Sequence, residues 1–198
     1  MGYSQKLPSY ISPEDYLLLE ERALTKHEYL DGVIYDWQGA GPRAMAGGSK
    51  QHNTASLNIY TSLRAQLSGT GCSTFVADIK VASADESAYF YPDVVVSCSE
   101  SDRASPLFVR QPTLIVEVLS TSTELFDRGD KFASYRALES LLAYVLVSTD
   151  LHTVELATRA GGWVFDGPIA AAATRSETKV ELGFGGLHLV LADVFDGI

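Results

Sequence analysis

The sequence predicts an α/β fold, a central mixed β-sheet flanked by helices, from two buried strands and the helix that follows them. The first strand begins after Pro92 with DVVV, and consecutive valines are typical of a strand covered on both faces. The second strand carries LIVEVL at residues 114–119, and a helix is predicted over residues 128–138. With 198 residues and 46% hydrophobic content, the chain is expected to form a single domain over residues 1–198.

The N-terminal third contains two helix starts and one hairpin. After a loose lead-in at residues 1–11, Ser12 is predicted to cap a helix that has proline and acids in its first turn. Asp31-Gly32 lies between two apolar runs and predicts a β-hairpin. Residues 39–48 are rich in glycine and alanine and are expected to form a flexible loop, and an amphipathic pattern predicts a long helix over residues 49–67.

The middle of the chain is predicted to add one strand before the central pair. Residues 74–81 have a strand pattern that would place Asp78 and Lys80 on one face, either beside the central acids or in an ion pair at a sheet edge. Residues 82–90 and 99–112 are expected to be loops, the latter offering Arg103 and Arg110 to a phosphate backbone. Asp127 is the expected N-cap of the helix over residues 128–138.

The C-terminal part is predicted to complete the sheet. Residues 142–147 form an apolar strand, and residues 153–157 and 162–165 form a hairpin. A small-residue loop at 170–174, a short strand at 187–191 and a terminal turn at 194–195 follow.

Glu117 is the residue of this chain that most needs a chemical explanation. It lies in the middle of an apolar strand, where an unpaired carboxylate would cost several kcal/mol or become protonated. A cation must therefore accompany it. A bound metal and a structural ion pair, for example with Arg128, are equally good explanations from the residue types alone.

Composition limits the classes of function. The net charge of −10 argues against broad, tight binding to nucleic acid, but a divalent metal and a local basic rim would still permit a nuclease. Cys72 and Cys98 are far apart in sequence, which predicts free thiols in a reducing compartment. Since neither a signal peptide nor a membrane-spanning run is visible, a cytoplasmic protein without membrane contact is expected.

Motifs along most of the chain resemble those of one family. The chain resembles the Uma family of candidate endonucleases, which belongs to the restriction-endonuclease-like PD-(D/E)XK superfamily. The matching segments are, in chain order, EDYLLLE, KHEYLDGVIY, AGGSKQHN, FVADIKV, YPDVVVSC, LIVEVLSTSTELFDRGDKFASYR and YVLV. The resemblance covers residues 12–165 and implies a restriction-endonuclease-like fold. One departure is that Leu119 stands where the superfamily has its lysine, two residues after the strand acid. Lys131 resembles a lysine relocated to the following helix.

The resemblance also implies a set of site residues. Asp93, Glu117, the backbone carbonyl of Val118 and Glu28 would hold a metal, and carboxylate and carbonyl oxygens suit Mg²⁺ or Mn²⁺. Lys131 would act on the attacking water, with Lys80 as the competing candidate. Asp78, Arg128 and His52 form a second tier of candidates. His52 is either a contact to substrate or to a metal-bound water in the first turn of its helix, or an exposed polar residue.

Three functions follow as expectations. The first is a metal-dependent endonuclease that hydrolyses phosphodiester bonds in DNA and acts as a homodimer with two sites for two strands. The second is a catalytically inactive relative whose acids form a structural ion cluster or serve binding. The third is a metal-dependent hydrolase of RNA or small nucleotides, which the acidic charge fits better than a long duplex.

Overall fold

The computed structural model describes residues 10–36, 49–171 and 177–198. Most of the predicted lead-in at 1–11, the glycine-rich loop at 39–48 and most of the small-residue loop at 170–174 lie outside these ranges. The elements, in chain order, are α1 (Pro13–Glu20), β1 (His27–Leu30), β2 (Val33–Asp36), α2 (Lys50–Gln66), β3 (Ser73–Val76), β4 (Lys80–Ala82), β5 (Ala88–Phe90), β6 (Val94–Ser97), α3 (Glu100–Ala104), β7 (Phe108–Val109), β8 (Pro112–Val118), α4 (Glu124–Phe126), a π-helical turn (Asp127–Lys131), α5 (Phe132–Arg136), β9 (Ala143–Ser148), β10 (Thr153–Thr158), β11 (Phe165–Ala170), β12 (Lys179–Glu181), β13 (His188–Val190) and α6 (Leu191–Val194).

The predicted α/β class with mixed sheets and flanking helices is confirmed, although the described strands form more than one sheet. The order in the larger sheet is β11-β10-β9-β8-β6-β3, and that in the second sheet is β2-β1-β5-β4-β7; β12 and β13 pair separately. Strands β8 and β9 run parallel, as do β4 and β7, and the other pairs are antiparallel.

Both faces of the larger sheet are covered by helices. Consecutive residues of a strand point to opposite faces, so the apolar side chains of the central strands are buried on both sides. Val94 and Val96 pack in one core cluster with Ile59 of α2. Val95 packs in a second cluster with Phe132 of α5. The continuous valines of β6 are thus buried on both sides, as the sequence predicts.

Local signals place the helix and turn boundaries correctly. Ser12 accepts a hydrogen bond from the backbone N–H of Asp15, and Ser49 accepts one from that of His52, so both cap their helices. Asp31 and Gly32 have positive φ angles of 48° and 87° and form the predicted hairpin turn between β1 and β2.

Four of the sequence predictions are wrong in whole or in part. Residues 74–81 do not form one strand, because Ala77 and Asp78 adopt positive φ angles that end β3 and send the chain into the second sheet. Residues 82–90 and 99–112 include short strands and a helix rather than loops alone. Helical backbone begins at Glu124, so Asp127 lies inside the helical segment and is not its N-cap.

The prediction of free thiols is also wrong. Cys72 and Cys98 form a disulfide with a Cα–Cα distance of 4.0 Å. Antiparallel pairing of β3 with β6 aligns Ser73 with Ser97 and brings the neighbouring cysteines together. Their separation of 26 residues concealed this proximity. The thiols therefore give no support to a reducing compartment.

None of the helices in the described ranges combines the length and the apolar character needed to cross a bilayer.

Candidate active site

Asp93 and Glu117 lie side by side on neighbouring strands. The register aligns Val94 with Val116, which places Asp93, the residue directly before β6, opposite Glu117 of β8. One carboxylate oxygen of Asp93, Oδ2, accepts a hydrogen bond of 2.7 Å from the backbone N–H of Val118. Pairing of the two central strands thus brings together the two acids that the sequence singles out.

Lys131 is buried at the centre of an acid cluster. Its Nζ lies 2.8 Å from Glu28 Oε1, 3.3 Å from Glu117 Oε1 and 3.2 Å from Asp127 Oδ1. The lysine side chain is only 4% exposed, and the three carboxylates are similarly buried. We call Glu28, Glu117, Asp127 and Lys131 the acid–lysine cluster.

Three separate parts of the chain build this cluster. Glu28 reaches it from β1 in the second sheet and also accepts a hydrogen bond from the backbone N–H of Tyr91. Glu117 reaches it from β8, and the π-helical turn supplies both Asp127 and Lys131. The cluster therefore joins the two sheets and the helical segment that packs on them.

Asp127 is the member that sequence reasoning missed. It was expected to cap a helix, but it lies four residues before Lys131 on the same side of the helical segment. The Asp-x-x-x-Lys spacing is a signal for such a pair, since residues four apart are neighbours on a helix. Although Asp127 Oδ1 is close to the lysine, it has no hydrogen-bond partner with acceptable geometry among the described residues.

Burial and charge act in opposite directions on these groups. Burial is the main reason that the pKa of Glu117 lies well above its usual value, and it likewise raises the pKa of Glu28, although Lys131 opposes both shifts. Burial would lower the pKa of Lys131, but the carboxylates outweigh it, and the net result is a raised pKa. The ammonium therefore stays charged at neutral pH.

The acid–lysine cluster has more acid than base. If all its members are ionised, three carboxylates face one ammonium, and Asp93 adds a further carboxylate next to Glu117. Buried excess charge of one sign is unfavourable without a compensating ion. Protonation of Glu117, whose pKa is raised, or a bound divalent cation would balance it.

His52 contacts Asp93. Its Nε2 lies 2.7 Å from Asp93 Oδ1, and the first turn of α2 fixes its position. Burial lowers the pKa of His52, but the hydrogen bond to Asp93 and the negative charges of Asp93 and Asp127 together outweigh it, and the net shift is upward. Of the two alternatives open from sequence, an exposed polar residue is ruled out, since the imidazole is engaged with a site acid.

Three sequence-predicted residues lie outside the acid–lysine cluster. Asp78 is 73% exposed and pairs with Lys26, so the predicted shared face with Lys80 is wrong. Lys80 has its Nζ 5.5 Å from the centre of the Tyr91 ring and forms no ion pair with the site acids in the described ranges. Arg128 pairs with Glu155 at 2.6 Å and with Glu124 at 2.8 Å, so the alternative of a Glu117–Arg128 pair is also wrong.

A cleft of about 310 Å³ opens onto the acids. Hydroxyl side chains of the loop between β8 and α4 form one wall, and the N-terminal end of α2 forms another. The lining residues are Ser49, Gln51, His52, Tyr91, Asp93, Glu117, Val118, Leu119, Ser120, Thr121, Ser122, Thr123, Asp127, Lys131, Thr149 and Asp150.

The donor atoms fit a hard divalent cation, although the side chains do not already form a cage. Among the described residues, no group of three His, Cys, Asp or Glu side chains is arranged to hold a metal ion. Carboxylate oxygens are nevertheless ligands that Mg²⁺ and Mn²⁺ accept. Asp127 Oδ1 lies 3.2 Å from Lys131 Nζ but has no hydrogen-bond partner of good geometry among the described residues, so it has acceptor capacity left for a further cation. Of the acids that could hold a metal, Glu28 and Glu117 are in contact with Lys131. Metal binding would therefore require these two carboxylates to turn toward the cleft.

Comparison with known proteins identifies similar sequences. The family model described as "Uma2: Putative restriction endonuclease" matches residues 13–191. The "Uncharacterized protein slr1290" of Synechocystis sp. (strain ATCC 27184 / PCC 6803 / Kazusa) is 37% identical over 188 residues, which cover 95% of this chain and 93% of that protein. The "Uncharacterized protein sll1609" of the same organism is 34% identical over 147 residues, covering 73% of this chain and 78% of that protein.

A solved structure shares the fold. A crystal structure described as a putative nuclease belonging to DUF820, from Anabaena variabilis ATCC 29413, superposes with a TM-score of 0.69. The match covers 93% of this chain and 97% of the other, with 15% sequence identity. At this identity, the likeness bears on the fold alone.

Proposed function

This chain belongs to the Uma2 family, described as "Putative restriction endonuclease", and from this premise we propose that it is a metal-dependent endonuclease that hydrolyses phosphodiester bonds in DNA. The observation that carries the proposal is the buried acid–lysine cluster, with Asp93 beside it, at the floor of an open cleft. A purely structural ion pair has no need of four acids, a cleft and a rim of hydroxyl groups.

We assign metal binding to Asp93, Glu117 and the carbonyl of Val118, with Glu28 as a further ligand. A bound Mg²⁺ or Mn²⁺ would supply a water of lowered pKa and would relieve charge on the phosphate. His52 holds Asp93 by its Oδ1 and the Val118 N–H holds the Oδ2, so the carboxylate is fixed in orientation. This fixed geometry lowers the reorganisation needed when a ligand arrives.

Lys131 is the proposed catalytic lysine. Its ammonium lies 3.3 Å from Glu117 and lines the cleft, so it can approach both the attacking water and a phosphate oxygen. Asp127 is a positioning residue that holds the ammonium from the same helical segment. Lys80, the competing candidate, is not assigned this role because it does not reach the acids.

The hydroxyl wall of the cleft suits a phosphate group. Ser120, Thr121, Ser122 and Thr123 follow directly after β8, and each hydroxyl is a donor that can meet a phosphate oxygen. We further propose a homodimer, since two sites are needed to cut both strands of a duplex, and a cytoplasmic location, where DNA is accessible.

A second candidate function is a catalytically inactive relative whose acids serve the fold. The observation that favours it is that Lys131 already contacts all three carboxylates of the acid–lysine cluster within 3.3 Å. In that case the lysine takes the place of the metal and no cation is bound.

The deciding experiment measures Mn²⁺ and Mg²⁺ binding by calorimetry together with plasmid nicking. Asp93→Asn and Glu117→Gln remove charge with little change of shape, and Glu181→Gln is a matched control because it neutralises an exposed strand glutamate. We expect both site variants to lose metal binding and to lower nicking by more than roughly a hundredfold, since even outer-shell partners of metals are worth roughly 10- to 100-fold.

The control variant should behave as the unsubstituted chain. If the unsubstituted chain neither binds metal nor nicks DNA, the inactive relative is the correct description. If RNA or a short nucleotide is cleaved and DNA is not, the substrate assignment is wrong, although the chemistry stands.

A further inference from the structure

Two lysines meet at the tyrosine beside the cleft. Lys26 Nζ lies 5.7 Å and Lys80 Nζ 5.5 Å from the centre of the Tyr91 ring. Tyr91 lines the cleft, and its hydroxyl donates a hydrogen bond of 2.8 Å to Glu20. We call Lys26, Lys80 and Tyr91 the lysine–tyrosine group.

The lysine–tyrosine group is next to the site acids along the chain. Lys26 comes two residues before Glu28, and Tyr91 comes two residues before Asp93. Two residues of extended chain span about 7 Å. The backbone N–H of Tyr91 also donates to Glu28, which ties the group to the acid–lysine cluster. A substrate held at the acids would therefore extend past these lysines.

The charge of Lys80 is poorly compensated. Its side chain is half-buried, and burial lowers its pKa, opposed only by Glu20. In the described ranges it has no carboxylate within ion-pair distance, and its Nζ lies over the face of the Tyr91 ring. Lys26 pairs with Asp78, but that acid is 73% exposed, and exposed ion pairs contribute little.

Two arginines that the sequence offered to a phosphate backbone are already paired. Arg110, which the sequence offered to a phosphate backbone, lies 2.7 Å from Glu86, and Arg103 lies 3.6 Å from Glu100. On a chain of net charge −10, half-buried Lys80 has no such carboxylate partner in the described ranges, and half-buried Lys26 lies beside the same tyrosine ring. The two ammonium groups add positive charge next to Tyr91, which lines the cleft.

From this arrangement we propose that Lys26 and Lys80 form a subsite for a backbone phosphate that flanks the scissile phosphate. The assignment rests on the proposed nuclease function and adds the direction in which the strand leaves the acids. Tyr91 is 7% exposed, so its ring is too enclosed to stack on a base and serves instead to hold the two ammonium groups in place.

The test is binding of a labelled single-stranded oligonucleotide to protein that carries Glu117→Gln, so that no cleavage interferes. Fluorescence anisotropy is measured over a range of salt concentrations for this background alone and with Lys80→Met, Lys26→Met or both. Lys80→Arg keeps the charge, and Lys179→Met is the control because this lysine is exposed and, unlike Lys26 and Lys80, does not contact the Tyr91 ring. Circular dichroism and thermal melting check that each variant is folded.

We expect each methionine variant to weaken binding about tenfold at low salt and to reduce the salt slope by about 1. The arginine variant and the Lys179 variant should match the background. If the site requires a nucleic-acid strand, unlabelled inorganic phosphate should compete only weakly with the oligonucleotide, and to the same extent for every variant. Strong competition by phosphate that Lys80→Met abolishes would identify a site for free phosphate and overturn the proposal.

The two proposals fail differently. If the unsubstituted chain nicks DNA but the methionine variants retain the affinity and salt slope of the background, the subsite is wrong and the nuclease stands. If the unsubstituted chain cleaves nothing and the background protein binds no oligonucleotide, the proposed function falls and the subsite with it.

Discussion

Replacing Lys131 with methionine tests the electrostatic account of the acid–lysine cluster. The change keeps much of the side-chain volume but removes the ammonium that lies 2.8 to 3.3 Å from three buried carboxylates. At an effective dielectric constant of about 20, each such contact is worth roughly 5 kcal/mol of attraction before the cost of burial is subtracted. The cost of burial offsets most of this energy.

Removal of one partner from a buried pair costs about 3–5 kcal/mol. We expect a loss of this size in the free energy of unfolding at neutral pH, out of about 5–15 kcal/mol for a typical domain. Because a domain of this size shifts by about 2–4 °C per kcal/mol, the melting temperature should fall by roughly 6–20 °C. Urea unfolding with a chelator present measures the loss without interference from metal.

The loss should depend on pH in a defined direction. The folded-state pKa values of Glu28 and Glu117 are raised above 4.5, mainly by burial, so the stability that these groups contribute is fully present below 4.5 and is lost as pH rises through their folded pKa. Lys131 opposes both shifts, and its removal raises the two pKa values further. The deficit of the variant should therefore be small near pH 4.5 and grow toward neutral pH.

Lys179→Met is the control, since an exposed lysine should change stability by less than about 0.5 kcal/mol. Adding Glu28→Gln to Lys131→Met should restore part of the loss, because it removes one uncompensated carboxylate. If the free energy of unfolding of Lys131→Met lies within about 1 kcal/mol of that of the unsubstituted chain, with the same pH profile, the electrostatic account of the acid–lysine cluster is wrong.

Two further predictions concern other parts of the core. The Cys72–Cys98 disulfide joins residues that are 26 positions apart, so its reduction should lower the free energy of unfolding by about 3–4 kcal/mol. Reduction should also release two thiols that react with a thiol reagent. Two reactive thiols in protein that was never exposed to reductant would contradict the pairing. The buried hydroxyl of Tyr135 has no hydrogen-bond partner among the described residues. Tyr135→Phe should therefore leave the free energy of unfolding unchanged or raise it by up to about 1 kcal/mol. A loss above about 1 kcal/mol in urea unfolding would show that the hydroxyl does have a partner.

Local rules predicted much of the scaffold. Ser12 and Ser49 cap helices because a serine oxygen accepts from a free N–H three residues later. Asp31-Gly32 turns the chain because both residues tolerate positive φ. Such signals involve a few consecutive residues, so a single sequence contains all the information they need.

Pairing between distant parts of the chain escaped prediction. Cys72 and Cys98 appear unrelated until β3 pairs with β6. Ala77 and Asp78 interrupt a regular strand pattern because the chain must pass from one sheet to the other. Neither the partner of a strand nor the need for a left-handed bend follows from local preference, since both depend on how all the strands together bury their apolar faces.

Sequence patterning was enough to place Asp93 at the entry to a strand and Glu117 inside one, and to show that a buried glutamate requires a cation. The identity of that cation, Lys131 with Glu28 and Asp127 around it, and the pairing of Arg128 and Asp78 elsewhere became visible in the folded chain. A carboxylate in an apolar strand needs a compensating charge, and this need can be inferred from the residues around it. Which side chain supplies the charge depends on how both sheets pack against the helical segment.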